Sequence, residues 1–215
     1  METEFDIEAY YEQVNNLIST PQDTWVENCK SVMTLIVMRC LFEKATERAA
    51  AEIKLFCGKL SIFRTDFLKH LENDTNYSQE HKERVITSFQ RAVEAFLERG
   101  HRLNAIIETP AEWKKEEAQG DGYFAKLFAK YPSQIELKTP RNNFNKLLGA
   151  THFSIAPTID DKQGAVRWEV DESRYRAQVS SSQILYSSYN ELFETLKLYS
   201  VPIYNQRLCS VGKSC

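Results

Sequence analysis

The chain has 215 residues, of which 42% are apolar and 27% charged, so it has ordinary globular composition and enough apolar material for a sizeable core. Its few glycines and prolines, seven and six, argue against a turn-dense all-β fold and against a disordered chain. The net charge of −3 excludes the strongly basic balance that is typical of a dedicated nucleic-acid-binding protein.

The N-terminal segment is acidic, and we expect it not to be a secretory signal. Residues 1–28 carry several Asp and Glu but no Lys, Arg or His, and they lack the basic and apolar regions of a secretory leader. The longest apolar stretch, 32–42, is far shorter than the ~20 residues that cross a bilayer. We therefore expect a cytoplasmic protein without a membrane span, whose five cysteines are reduced thiols.

The first half of the chain is predicted to be helical. Asp6 caps a short helix that Thr20-Pro21 ends, and a long helix is predicted to follow from about residue 23 to 56. The middle of this long helix is apolar nearly all round, so it should be the central, buried helix. The residues expected in its core are Met33, Ile36, Val37 and Leu41.

Further helices are predicted along the chain to residue 149. One covers residues 60–72, and a strongly amphipathic one runs from Ser78 to Ile107 with apolar residues every three or four positions. Thr109-Pro110-Ala111-Glu112 has the pattern of a capping box, and Thr139-Pro140 is a second helix opener.

The pattern of apolar and polar residues changes twice after residue 150. Residues 151–170 alternate polar and apolar side chains around Asp160-Asp161-Lys162-Gln163-Gly164, which predicts a β-hairpin. Asp171 is predicted to cap a final long helix to Tyr199, and Pro202 to end it. The sequence therefore predicts an all-α fold: a multi-helix bundle with a small hairpin inserted before the C-terminal helix. Residues 1–200 are predicted to be a single helical domain, followed by a flexible tail over 201–215.

No metal site or cofactor is predicted. The four histidines are scattered, and no spacing typical of a zinc site occurs. A lone helical histidine is more often a surface or core residue than a ligand.

One short motif suggests catalysis. Arg64-Thr-Asp-Phe-Leu-Lys-His70 resembles the Arg-x(4–6)-His motif of the HEPN helical family, some of whose members are metal-independent ribonucleases. The resemblance covers seven residues. It implies that Arg64 stabilises a phosphate in the transition state and that His70 moves the proton of a 2′-hydroxyl. In a continuous helix, however, the two side chains would diverge by about 120°. A solvated helix face is the alternative interpretation.

Two groups of basic residues could contact phosphates. Arg99, His101 and Arg102 form the first, and Lys138, Arg141 and Lys146 form the second. Aromatic residues lie near them in the sequence, and charge combined with stacking is how single-stranded nucleic acid is held. The nearby aromatics are Tyr123, Phe124, Phe128, Tyr131 and Phe144. Core packing of these aromatics is the alternative, and nucleic acid is possible but not favoured as a partner.

The C-terminal helix is the main candidate for an interface. A narrow seam with a 4-3-4-3 spacing lies beside a second apolar row, and two rows could serve two contacts. The predicted interface residues are Tyr189, Phe193, Leu196 and Tyr199. The favoured function is a helical adaptor or assembly subunit that acts without catalysis, through a protein partner or self-association. A HEPN-like ribonuclease and a nucleic-acid-binding subunit are the alternatives.

Overall fold

The protein has a mixed α/β fold in the computed structural model, which describes residues 5–20, 23–27, 31–64, 71, 77–111, 122–159, 162–170 and 175–203. The described helices are α1 (Ile7–Ser19), α2 (Ser31–Thr46), α3 (Gln79–Glu98), α4 (Tyr123–Lys130), α5 (Phe144–Leu147) and α6 (Gln183–Leu198), with short 3-10 helices at Ser61–Phe63 and Arg141–Asn143. The described strands are β1 (Asp23–Glu27), β2 (Glu52–Cys57), β3 (Arg102–Ile107), β4 (Ile135–Pro140), β5 (Phe153–Ile159), β6 (Lys162–Val170), β7 (Tyr175–Ser180) and β8 (Ser200–Pro202).

The strands form one sheet in the order β1-β7-β6-β5-β2-β3-β4-β8. Its centre is parallel: β2 pairs with β3, and β3 with β4, so that Leu55 lies beside Ala105 and Ala105 beside Leu137. The remaining pairs are antiparallel. The carboxyl ends of β2, β3 and β4 therefore meet at one edge of the sheet, where open α/β sheets usually bind ligands. The start of β5 lies at that same edge, because β5 runs against β2.

The larger core lies between the sheet and α1, α2, α3 and α4. Helix α2 is its centre, as the sequence predicted, and it packs on α1, α3 and β5. The four residues expected to be buried there are confirmed: Met33, Ile36, Val37 and Leu41 are all at most 5% exposed. Burying a side chain of this size contributes about 1.5–3 kcal/mol to folding.

The opposite face of the sheet is covered by α6, which contacts β2, β4, β5 and β6. Tyr189 stacks on Phe153 with ring centroids 4.7 Å apart, and Phe193 meets the same ring edge-on at 6.5 Å. Lys54 of β2 reaches the same helix, where its ammonium donates to Asn190 and Glu194, both at 2.6 Å. Helix α6 is thus fixed to the sheet by aromatic packing and by an ion pair between the buried Lys54 and the exposed Glu194.

The all-α prediction is wrong, and the long helix predicted over 23–56 shows why. Among the described residues of that range only α2 is helical, with β1 before it and β2 after it. Strand β2 is buried on both faces, because Ile53 and Leu55 enter the larger core while Phe56 enters the smaller one. A strand buried on both faces gives a nearly continuous apolar run, which periodicity alone does not separate from a buried helix.

Three other predicted helices are also corrected. The amphipathic helix from Ser78 ends at Glu98, and Gly100 adopts φ +83° before the chain enters β3. The helix predicted from Asp171 begins instead after Ser182, whose hydroxyl accepts from Leu185 N, because residues 175–180 form β7. Thr139-Pro140 ends β4 and leads only into a 3-10 turn and the short α5.

The predicted hairpin is confirmed, with β5 and β6 pairing antiparallel. It is not an insertion into a bundle, because β5 also pairs with β2 and β6 with β7.

The tail predicted from residue 201 begins inside β8, and residues 204–215 lie outside the described part of the chain. That residues 1–200 form a single domain stays a prediction. Within the described ranges, no helix is long and apolar enough to cross a membrane.

Candidate functional site

A histidine and a glutamate meet at the edge where the parallel strands end. His152 immediately precedes β5, Glu108 immediately follows β3, and His152 Nε2 lies 3.0 Å from Glu108 Oε2. Both side chains are partly open to solvent, at 39% for His152 and 27% for Glu108. We call this pair the His152–Glu108 dyad.

Neighbouring residues hold Glu108 in place. Asn145, only 4% exposed, donates from Nδ2 to the second carboxylate oxygen, Glu108 Oε1. The backbone N–H of Glu108 donates to the carbonyls of Cys57 and Gly58, and Thr109 donates to Gly58 O from both its N–H and its hydroxyl. The ends of β2 and β3 are therefore tied together, and both oxygens of the Glu108 carboxylate have partners.

Gly58 lets the imidazole approach the backbone closely. A Cβ at this position would lie 3.2 Å from His152 Cε1, closer than most such contacts. On another side, the ring meets Phe56 edge-on, with centroids 5.6 Å apart. The Glu108 carboxylate and the Phe56 ring therefore orient the imidazole, and Gly58 leaves the space that the ring occupies.

This geometry selects one tautomer of His152. An ionised carboxylate only accepts hydrogen bonds, so the nitrogen facing Glu108, Nε2, carries the proton. Nδ1 then presents a lone pair, and it has no hydrogen-bond partner among the described residues. An imidazole with one nitrogen held by a carboxylate and the other free is the arrangement used for proton transfer in hydrolytic and transfer enzymes.

The nearby thiol of Cys57 is not a nucleophile in this arrangement. Burial raises the pKa of the Cys57 thiol to about 12, so it stays protonated at neutral pH. Cys57 is therefore a weaker candidate than the dyad for chemistry at this edge.

The Arg64–His70 motif lies only partly within the described residues. Arg64 is buried and has extended backbone just after the 3-10 helix, so the continuous helix predicted over 60–72 is not present there. His70 lies outside the described residues, and the catalytic assignment of this pair stays a prediction.

Within the described part of the chain, no cluster of His, Cys, Asp and Glu forms a candidate metal site.

The predicted interface residues lie mainly inside the chain. Tyr189, Phe193 and Leu196 pack against the sheet and are at most 8% exposed, whereas Tyr199 is 51% exposed. Only Tyr199 among the four has the exposure that contact with another molecule needs. The interface assignment itself stays a prediction.

The two predicted basic groups have different settings. In the first, Arg99 donates to Thr46 O, and the buried His101 accepts from Ala51 N, so both stabilise the junction between helices and strands. In the second, Arg141 and Lys146 are exposed and make no ion pair with any described residue.

Lys138, the remaining member of the second group, is paired. It contacts Glu136 at 2.9 Å, as does Lys197. Although burial alone would raise the pKa of Glu136, hydrogen bonds from Lys197 and Lys138 hold it below its ordinary value. Arg141 and Lys146 are therefore the available cations of this group.

Sequence reasoning missed the dyad because its members are 44 positions apart: His152 was considered alone, and Glu108 was not considered. The signal that could have found it is positional. Once β3 and β5 are recognised as strands, Glu108 and His152 each lie at a strand end, and the pairing of β2 with both strands places those ends at one edge.

Comparisons with known proteins show weak likeness. No protein-family model matches the chain, and no curated protein matches it. Solved structures that align with it include TrmBL2, an archaeal chromatin protein that binds DNA, at 12% identity and TM-score 0.47, over 90% of this chain but only 59% of that one. NucT from Helicobacter pylori aligns at 10% identity and TM-score 0.48, over 84% and 98% of the two chains. Nuc from Salmonella typhimurium, a phospholipase D family member, aligns at 12% identity and TM-score 0.43, over 86% and 100%. Likeness at this level assigns neither a family nor an activity.

Proposed function

We propose that this protein hydrolyses or transfers a phosphoester, with the His152–Glu108 dyad as its acid–base centre. The observation that supports the proposal is the 3.0 Å contact between His152 Nε2 and Glu108 Oε2 at the carboxyl edge of the parallel strands. The adaptor function expected from the sequence gains no support, because Tyr189, Phe193 and Leu196 of its predicted interface are at most 8% exposed.

In the proposed hydrolysis, His152 acts as a base. Nδ1 takes a proton from water as the water oxygen bonds to phosphorus, and the imidazolium that forms is stabilised by the Glu108 carboxylate. The phosphorus–oxygen bond to the leaving alcohol then breaks on the side opposite the attacking water, the departing oxygen takes a proton from solvent, and Nδ1 releases its proton to solvent. Asn145 keeps the carboxylate aligned throughout, because it holds the oxygen that the imidazole does not use.

A phosphoester is favoured by the charges that flank the dyad. Residues 137–159 contain His152 but no Asp or Glu, and they include the exposed Arg141 and Lys146. Charge-assisted contacts from such cations to phosphate oxygens are stronger than neutral hydrogen bonds. A substrate that carries negative charge would therefore be attracted to the edge where the imidazole lies.

The test measures turnover of bis(p-nitrophenyl) phosphate, p-nitrophenyl phosphate and p-nitrophenyl acetate by the wild type and by Glu108→Gln. Glutamine would present an amide N–H to Nε2 and force the proton onto Nδ1, which removes the base. We expect turnover of one of the phosphoesters to fall by about 10²–10³-fold in the variant.

The matched control for this test is His81→Gln, which alters a histidine in the first turn of α3, away from the dyad. It should leave turnover unchanged. Absence of phosphoester turnover in the wild type across acidic to alkaline pH, or equal turnover by wild type and Glu108→Gln, would refute the proposed function.

A second substitution tests the position of the imidazole. Gly58→Ala would place a methyl group 3.2 Å from His152 Cε1, so the ring must move by a few tenths of an ångström. We expect turnover to fall about tenfold while the free energy of unfolding changes by less than ~1 kcal/mol. Thermal denaturation and kcat measured on the same preparation separate the two effects. A large loss of stability with unchanged kcat would show that Gly58 serves the fold alone.

A further inference from the structure

A stacked aromatic pair adjoins Asn145, the residue that holds Glu108. Phe144, the first residue of α5, stacks on Tyr199 at the end of α6, with ring centroids 4.1 Å apart and planes 29° from parallel. Phe144 is partly buried and Tyr199 is 51% exposed, and Arg141 N donates to the Tyr199 backbone carbonyl at 2.9 Å. We call Phe144 and Tyr199 the aromatic platform.

The platform and the dyad are joined by adjacent residues. Phe144 contacts Tyr199, and Asn145, next in the chain, donates to Glu108. Backbone bonds from Leu148 N to Phe144 O and from Ala150 N to Asn145 O hold this short segment in shape. A ligand that spans the two features therefore needs both a group that reacts at His152 and a flat apolar group at Tyr199.

The charges around the platform fit a polyanion. Arg141 and Lys146 flank Phe144 in the sequence, both are exposed, and neither is paired with a described acid. The acid nearest in the sequence before them, Glu136, is neutralised by Lys138 and Lys197. An apolar partner surface would not need this excess of positive charge, whereas a strand of phosphates with stacking bases uses both features.

We infer that the aromatic platform is a base-stacking subsite, and that the phosphoester acted on at the dyad belongs to single-stranded nucleic acid. The inference rests on the proposed function for the reaction, but the binding that it requires is measured separately. A base stacks on the exposed face of Tyr199, while Arg141 and Lys146 contact phosphates of the same strand.

The test is fluorescence anisotropy of the full chain with a labelled 20-nucleotide oligodeoxythymidine. Three competitors accompany it: an abasic oligonucleotide of the same length, an oligouridine and a duplex. We expect the base-containing single strands to bind more tightly than both the abasic strand and the duplex. Tyr199→Ser should weaken binding of oligodeoxythymidine about tenfold and leave binding of the abasic strand unchanged. Lys146→Ala should reduce the slope of log affinity against log salt by about 0.7.

Trp25→Ser is the matched control, since Trp25 is an aromatic residue, 42% exposed, on the edge strand at the other side of the sheet. It should bind all probes as the wild type does. Equal affinity for base-containing and abasic strands, or equal loss in Tyr199→Ser and Trp25→Ser, would overturn the inference. So would a wild-type dimer by sedimentation that Tyr199→Ser converts to a monomer, because a second copy would then cover the platform.

The binding assay, together with the turnover assay of the proposed function, separates this inference from that function. If oligodeoxythymidine binds through Tyr199 but no phosphoester is turned over, the catalytic proposal fails while the stacking subsite remains. If phosphoesters are turned over but abasic and base-containing strands bind alike, the subsite fails and the dyad remains.

Discussion

His152→Gln is expected to abolish phosphoester turnover, with a loss of at least about 10³-fold in kcat. Glutamine has no group that takes up and releases a proton near neutral pH, so the acid–base contribution disappears entirely. The side chain is 39% exposed and outside the two cores, so the fold should survive the change. The measurement is kcat for the best phosphoester substrate, with circular dichroism and thermal denaturation on the same sample.

The decisive comparison is with the effect of Glu108→Gln. Residues that act as one unit show non-additive losses, so the double variant should be no slower than His152→Gln alone. Losses that multiply would mean that the two residues act independently. Residual turnover of more than about a tenth in His152→Gln would remove His152 from the mechanism.

Phe42→Ala is expected to cost about 3–5 kcal/mol of unfolding free energy. Phe42 of α2 is fully buried and meets Phe96, Phe63 and Phe89 edge-on, with ring centroids 5.3, 6.2 and 6.2 Å away. Truncation loses the burial of the ring, leaves a cavity and removes three favourable edge contacts. The midpoint of thermal denaturation should fall by about 10 °C for a chain of this length.

The control for this prediction is Trp25→Ala, which removes a larger ring from an exposed site. Its cost should stay within about 1 kcal/mol. If the two substitutions cost the same, or if Phe42→Ala costs less than about 1 kcal/mol in chemical denaturation, the aromatic centre of the larger core is not as described.

The sequence predicts part of this fold for reasons that the structure makes clear. Helix α1 and its Asp6 cap, the buried middle of α2 and the β5–β6 hairpin depend on local patterns, and all are found. The strands that were missed depend on pairing with distant strands. Strand β3 follows α3 with little change in apolar spacing, and Gly100, with φ +83°, is the stop signal between them. Because the helix was predicted to continue past this glycine to Ile107, both β3 and the parallel centre of the sheet were missed.

The candidate site was less predictable than the fold. His152 was visible only as a lone histidine, and Glu108 had no motif to distinguish it from other acids. Their meeting depends on β2 pairing with β3 on one side and with β5 on the other. The basic group at Arg141 and Lys146, with Phe144 beside it, was recognised from composition. The sequence did not show that Phe144 stacks on Tyr199, because the two residues are 55 positions apart.

The most direct test of the account is the position of the proton on the His152 imidazole. Long-range ¹H–¹⁵N correlation spectra of the full chain, with His152→Gln used for assignment, report it at a pH where the ring is neutral. The account predicts the tautomer with the proton on Nε2, and its loss in Glu108→Gln. A proton on Nδ1, or a tautomer mixture that Glu108→Gln leaves unchanged, would contradict the dyad on which the proposed function rests.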